Sequence, residues 1–203
     1  MFRKTLLSAA TVAAMMSVVP AFADVAVDSG SQQILITGKV IDAPCSIATS
    51  TPISVDLGQV SDKLLKAGTA SDAKKFTITL TGCSFSAPPE SIPVGHTGNN
   101  SKVAVEFTGA MPPVTGEGTA NLGYMGNAAN GPDAATNVSI QLLKSDGMTG
   151  VDLAKGDFTM DDAVGPLVNG ENNLDFFVRM ASPHKDATPG AVAATLTYKL
   201  HYF

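Results

Sequence analysis

Tryptophan is absent from this sequence and aromatic residues make up only 6% of it, so few side chains are available for stacking on bases. Acidic residues outnumber basic ones by 18 to 13, whereas a nucleic-acid-binding surface needs a basic patch. The three histidines, His96, His184 and His201, are scattered along the chain, whereas a zinc site needs three or four converging ligands. We therefore expect no nucleic-acid partner, no metal and no other cofactor.

The motifs of common catalytic sites are also missing. The chain has no Gly-x-Ser-x-Gly elbow and no glycine-rich loop of the phosphate-binding type. The acidic stretch "DFTMDDAVG", which contains Asp157, Asp161 and Asp162, lacks the alternating oxygen ligands and closing glutamate of a calcium loop. We interpret it as a solvated loop, and we expect His184 and His201 to face solvent. These absences predict a protein that is not an enzyme.

The first 23 residues have the pattern of a secretory signal peptide. Arg3 and Lys4 precede the apolar stretch "LLSAATVAAMMSVV", and "AFA" supplies small residues for cleavage before Asp24. A membrane anchor is the alternative, but this stretch is shorter than the roughly 20 apolar residues that span a bilayer. Removing the two basic residues of the signal takes the net charge from −5 to −7. The mature chain is thus expected to be an acidic, exported protein of one domain.

The chain has two cysteines, Cys45 and Cys83. An even count in an exported chain predicts a disulfide. A metal-binding pair is the alternative, but no further ligands lie near them in the sequence.

After the signal, short segments of alternating apolar and polar residues are separated by turn signals, which predicts an all-β sandwich. The predicted strands are 32–45, 53–60, 74–83, 102–109, 137–147, 172–182 and 190–203. One or two helical turns are expected within 61–75. The glycine- and proline-rich stretches 84–100 and 109–135 are expected to be outward-facing loops, with Tyr124 anchoring a turn.

The last strand, "GAVAATLTYKLHYF", has the clearest alternation in the chain. A long apolar edge strand invites association with another chain, and chain ends are normally frayed, so such a strand is unexpected at the C-terminus. Its expected buried face consists of Val192, Ala194, Leu196, Tyr198, Leu200 and Tyr202.

Four motifs, taken in order, resemble one family closely. They are "GKVIDAPC" at 38–45, "VDLGQV" at 55–60, "FTITLTGC" at 76–83, and an ending with Gly190 fourteenth from the end and Tyr202 penultimate. The chain resembles the type 1-like fimbrial (pilus) subunits of the bacterial chaperone–usher pathway, and the similarity covers essentially the whole mature chain.

That resemblance implies an incomplete immunoglobulin-like Greek-key sandwich, with six strands plus a donated strand and one disulfide. The C-terminal strand would line an apolar groove that a periplasmic chaperone fills during transit to an outer-membrane usher. In the fibre, the N-terminal extension of a neighbouring subunit would replace the chaperone strand, which is donor-strand exchange. The subunit would then form part of a fimbria on the cell surface that supports adhesion, with host receptors contacted through the assembled fibre.

Carried onto this sequence, the resemblance implies a signal peptide at 1–23, a donor-strand extension at 24–37 and a pilin domain at 38–203. Gly30, Gln32, Ile34 and Ile36 share one face of the extension and are the candidate donor residues. The candidate groove and chaperone-binding residues are Gly190, Val192, Ala194, Leu196, Tyr198, Leu200, Tyr202 and Phe203, with the Phe203 carboxylate held by basic residues of the chaperone.

Three alternatives remain open at this point. Residues 24–37 are either a donor strand or a flexible leader into the first strand. The chain is either a major subunit or a minor, linker subunit. A freestanding secreted carbohydrate-binding sandwich, which completes its own fold, is the alternative to a fibre subunit.

Overall fold

The computed structural model describes residues 43–48, 52–85 and 100–203, and over these ranges the chain forms two antiparallel β-sheets. All described residues belong to one unit, Ile41–Phe203. The signal segment 1–23 and the donor extension 24–37 lie outside the described residues, as does most of the loop predicted at 84–100.

Eight strands and two short 3-10 helices occur in the described part of the chain. The helices are Ala120–Leu122 and Met160–Asp162. No described helix is long and apolar enough to cross a membrane. The strands are β1 (Ser46–Ile47), β2 (Thr69–Ala70), β3 (Lys74–Cys83), β4 (Val103–Thr108), β5 (Tyr124–Gly126), β6 (Ser139–Leu143), β7 (Gly170–Ser182) and β8 (Thr197–Tyr202).

The larger sheet has the order β1-β3-β7-β6-β5, and β2 pairs with the end of β7. The smaller sheet contains β4 and β8, which are far apart in sequence and pair along six residues. Neighbours in the sheets are therefore mostly not neighbours in the chain, as in Greek-key sandwiches. The predicted all-β, immunoglobulin-like sandwich is confirmed.

The core lies between the inner faces of the two sheets, and its residues alternate along each strand as the sequence predicted. Ile78 and Leu80 on β3 and Val103 on β4 have no exposed surface, and Leu142 on β6 exposes 1%. Phe107 on β4 meets Phe176 on β7 edge to face, with 5.0 Å between ring centroids. These contacts join the two sheets across the core.

The disulfide between Cys45 and Cys83 is present, which confirms that prediction. Both cysteines are buried in the core cluster. The bond ties the residue that precedes β1 to the last residue of β3, so it fixes the edge of the larger sheet.

Two predicted strands differ from those observed. Residues 53–60 are not in a ladder, because no described strand lies alongside them. In the C-terminal segment, β8 begins only at Thr197. The residues before it bond instead to an irregular loop: the Ala191 N–H donates to Asp133 O at 2.7 Å, and the Ala128 N–H donates to Ala193 O at 2.8 Å.

Two connecting segments contain strands that were not predicted. The stretch 61–75 has the expected helical turn, in which the Leu65 N–H donates to Ser61 O at 3.3 Å, but it also contributes β2. The stretch 109–135 is not entirely loop, because Tyr124 begins β5. Met125 is 1% exposed, and its burial against the core outweighs the turn tendency of the surrounding glycines.

Candidate functional site

An apolar groove of about 1090 Å³ runs beside the C-terminal segment. One side is formed by residues 52–62 and the other by residues 187–196 with Tyr198. Its floor is formed by apolar side chains on or next to five strands of the two sheets. Along these strands, alternate residues point inward. The floor residues are Phe76, Phe107, Met125, Val138, Ile140, Leu142, Val178 and Met180.

Part of the backbone on each side of the groove lacks a partner among the described residues. Residues 187–193 bond to Leu65 and to the loop 128–136, but residues 194–196 make no backbone–backbone hydrogen bond with a described residue. Residues 52–60 make no backbone–backbone hydrogen bond with any described residue. Strand β8 pairs with β4 along one edge, and no described strand pairs with its other edge. Unpaired backbone donors and acceptors along such edges are suited to receive an added strand.

The candidate C-terminal residues fall into two groups. Gly190, Val192, Ala194, Leu196 and Tyr198 line the groove. The remaining three lie beyond the groove lining: Leu200 and Tyr202 pack against the core cluster, and Phe203 ends the chain.

The C-terminus itself is held in place rather than frayed. The Phe203 N–H donates to Lys102 O at 2.9 Å, and the Lys102 N–H donates to Phe203 O at 3.0 Å. The Tyr202 hydroxyl is buried without a hydrogen-bond partner in the described part of the chain, and burial raises the pKa of this phenol.

Gly190 allows the closest approach along the groove wall. A Cβ at this position would lie 2.3 Å from the Ala135 nitrogen and 2.6 Å from the Ala134 carbonyl carbon. Both are backbone atoms, which cannot move aside as a flexible side chain would. Glycine is therefore required for the C-terminal segment to lie against residues 134–135.

Residues 52–62 are the part of the site that the sequence did not predict. The stretch 53–60 was interpreted as an ordinary paired strand, whereas it is the unpaired wall of the groove. Its one sequence signal is the pair Asp56 and Gly58: the Asp56 carboxylate accepts a hydrogen bond from the Gly58 N–H at 2.8 Å, and this local turn disfavours a continuous ladder.

Charged residues cover the outer face of the β4–β8 sheet. Glu106 exposes 16% of its side chain and lies between two basic residues of β8. Its carboxylate oxygens are 2.8 Å from His201 Nε2 and 3.7 Å from Lys199 Nζ. The hydrogen bond with His201, which is the larger cause, and the charge on Lys199 lower the pKa of Glu106.

His201 points outward from β8 as predicted, but it is not freely solvated. The Phe158 ring stacks on its imidazole, with 5.1 Å between centroids and 4° between planes. The loop that carries Phe158 therefore covers this face of the sheet. His201 faces solvent in part, as expected, with 38% of its side chain exposed, but the sequence does not show which loop lies over a strand.

We predict that Glu106→Gln reduces stability in a pH-dependent way. The folded-state pKa of Glu106 is below its ordinary value of 4.5, so its ionised form stabilises the fold above that pH, and this contribution is lost as the pH falls through the lowered pKa. The melting temperature of the variant should be lower than that of the parent above about pH 5, and the difference should shrink steadily as the pH falls below 4.5. Thermal unfolding followed by circular dichroism at several pH values checks this.

Glu171→Gln is the matched control, because Glu171 is exposed on β7 and forms no salt bridge with a described residue. It should leave the melting temperature nearly unchanged at every pH. An equal, pH-independent loss in both variants would contradict the assignment to Glu106.

Within the described ranges, no group of three or more His, Cys, Asp or Glu side chains is arranged to hold a metal ion.

The family of this chain follows from its similarity to known proteins. The sequence model of the family described as "Fimbrial protein" matches residues 34–202, which include the whole described groove. The chain belongs to the fimbrial protein family.

Curated members of the fimbrial family match this chain over most of their own length. It is 35% identical over 179 residues to the fimbrial-like protein YgiL of Escherichia coli K12, with 86% of this chain and 87% of that protein covered. It is 30% identical over 179 residues to the major MR/P fimbria protein of Proteus mirabilis, with 87% of each covered.

Solved structures of fimbrial subunits share the fold. A chain from the structure of a chaperone–usher pilus is 26% identical, with a TM-score of 0.57, and the match covers 87% of this chain and 98% of that one. The P pilus rod subunit PapA is 27% identical, with a TM-score of 0.53, and the match covers 79% of this chain and 100% of PapA. The protein is thus a fimbrial subunit of the chaperone–usher type, and it is a structural protein rather than an enzyme.

Proposed function

We propose that the protein polymerises into a surface fimbria by donor-strand exchange, in which residues 24–37 of one subunit fill the groove of the next. The observation that carries this proposal is the groove itself. It combines an apolar floor with two backbone edges that have no strand partner among the described residues. Adding a strand between such edges is a recurring mode of peptide recognition, and chaperone–pilin complementation is one of its standard examples.

The sequence of the extension is suited to this groove. Ile34 and Ile36 are two positions apart, so in an extended strand both can point at the floor while Leu35 between them faces the other way and the backbone bonds to the edges. Fully burying one such side chain contributes about 1.5–3 kcal/mol, and each main-chain hydrogen bond adds a net ~1 kcal/mol. Gly30 shares this face, and a glycine permits close backbone approach at one end of the groove.

Exposed in an isolated subunit, the same groove is a site for aggregation. We propose that a periplasmic chaperone occupies it with a strand of its own, that the Phe203 carboxylate contacts basic residues of that chaperone, and that the usher is the place of exchange. The predicted signal peptide at 1–23 is consistent with export into the periplasm. Adhesion is then a property of the assembled fibre.

The first test compares the mature chain with a variant that lacks residues 24–37. Each subunit needs a donor strand from its neighbour. The mature chain should therefore form detergent-resistant ladders on an unheated denaturing gel, and the variant that lacks residues 24–37 should not. Size-exclusion chromatography should show polymers only for the full-length protein. A peptide of residues 24–37 should raise the melting temperature of the deletion variant.

The matched control is the same peptide with Ile34 and Ile36 replaced by serine, which keeps the backbone but loses the apolar side chains. It should stabilise the deletion variant much less. Stable monomers with equal melting temperatures for both proteins would overturn donor-strand exchange, and a freestanding sandwich that completes its own fold would replace it.

A further inference from the structure

A second pocket, of about 420 Å³, lies on the outer face of the larger sheet. Its lining includes Tyr124 of β5 and Arg179 of β7, and Gln141 of β6 lies between them in the sheet, paired with Tyr124 on one side and with Arg179 on the other. These side chains point away from the groove floor, because their neighbours Met125, Ile140 and Met180 point into the core. The pocket is therefore a separate site from the assembly groove.

Hydrogen bonds fix the orientation of Arg179. Its Nε donates to Gln141 Oε1 at 3.0 Å, and Gln141 Nε2 donates to Leu122 O at 3.0 Å. Gln141 exposes only 5% of its surface, so it is a rigid support. With Nε engaged, the two terminal nitrogens of the guanidinium remain to contact a ligand, since they make no hydrogen bond within the described part of the chain.

The charge of the pocket is opposite to that of the protein. Its lining includes Arg179 and His184 and no Asp or Glu, although the chain has a net charge of −5. Some other cations are paired with carboxylates: Lys66 pairs with Asp186 at 3.0 Å, and Lys75 pairs with Asp175 at 2.8 Å. Across the described ranges, no carboxylate forms an ion pair with Arg179.

The wall opposite Arg179 is built from a glycine-containing loop that packs on an aromatic ring. A Cβ at Gly118 would lie 2.4 Å from Cγ of Tyr124, so only glycine lets the loop lie against this ring. Thr119 is exposed next to it and makes no side-chain capping bond. The pocket thus has a hydroxyl, backbone groups and part of an aromatic ring beside a fixed guanidinium.

We propose that this pocket binds a carboxylate carried on a sugar ring, such as a sialic or uronic acid. The planar guanidinium matches a carboxylate through two parallel hydrogen bonds, which a lysine cannot reproduce. The volume suits one sugar residue, and the hydroxyl and backbone groups suit its hydroxyls. This inference goes beyond polymerisation and assigns ligand recognition to the body of the subunit.

The test titrates the purified mature protein, whether monomeric or assembled, with N-acetylneuraminic acid and with glucuronic acid, and follows binding by saturation-transfer NMR and calorimetry. Methyl galactoside and acetate serve as ligands that have only the ring or only the carboxylate. Both acids should bind, and Arg179→Gln should weaken them by about 10-fold or more, because it removes a charge-assisted hydrogen-bonding partner. Binding of one acid alone would identify which class of acidic sugar the pocket takes.

Two further variants keep the result interpretable if Arg179→Gln affects folding. Ala70→Glu, at an exposed position in the pocket lining, adds a competing carboxylate and should abolish binding without disturbing the core. Lys63→Gln removes an exposed cation outside the pocket and should leave affinity unchanged.

The proposal is overturned if neither acid binds, if acetate or the neutral sugar binds as tightly as the acids, or if Lys63→Gln weakens binding as much as Ala70→Glu. The pocket and the groove share no lining residue, so this proposal and donor-strand exchange can fail separately.

Discussion

Leu142→Ala is expected to lower the free energy of unfolding by about 2–5 kcal/mol, as removal of a buried leucine side chain does when the surrounding structure cannot collapse into the space. Leu142 exposes 1% of its surface and belongs to the core cluster between the sheets. It also lies in the floor of the groove. Urea unfolding of the full-length chain, followed by circular dichroism, measures the loss.

Leu80→Ala is the matched control, because Leu80 is fully buried in the same cluster but does not line the groove. Both variants should lose similar stability. Only Leu142→Ala should also reduce the rise in melting temperature that a peptide of residues 24–37 produces in the variant that lacks them. If the two variants respond equally to the peptide, Leu142 is not part of the surface that the donor strand covers.

Removal of the disulfide, by Cys45→Ala together with Cys83→Ala, is expected to cost about 3–4 kcal/mol. The cross-link joins residues 38 positions apart, and the loop that it closes restricts the unfolded chain. Alanine avoids placing serine hydroxyls at two positions that are 8% and 4% exposed. The midpoint of urea unfolding should fall accordingly.

Reduction of the parent protein by a thiol supplies an independent comparison for the disulfide. The reduced parent should unfold at nearly the same urea concentration as the double variant. A loss below about 1 kcal/mol in both would mean that β1 and β3 hold this edge of the sheet without the cross-link, contrary to the expectation from loop entropy.

Some features follow from short stretches of sequence because their physical cause is local. Alternation along 74–83 predicted β3 with its observed bounds, since side chains of a strand point to opposite faces in turn. The same alternation predicted which residues of β8 face inward, including Tyr198 and Leu200. The two cysteines predicted the disulfide because the chain contains no others.

Other features depend on which segments pack against each other. The alternation of apolar and polar residues within one segment does not predict that. Residues 53–60 look like a paired strand, but whether an extended segment has a partner depends on strands distant in sequence. Tyr124 and Met125 lie among glycines that favour a turn, yet tertiary burial of Met125 makes them a strand. The loop carrying Phe158 likewise reaches His201 from a distant part of the chain.

The sequence alone was therefore sufficient for the fold class, the disulfide, the inward face of the last strand and the family, because each depends on local periodicity, residue identity or a short motif. Only the tertiary structure decided that 52–62 is the second wall of the groove and that Tyr124, Gln141 and Arg179 form one row. Both depend on strand order and register, which are set by packing between segments that are far apart in the chain.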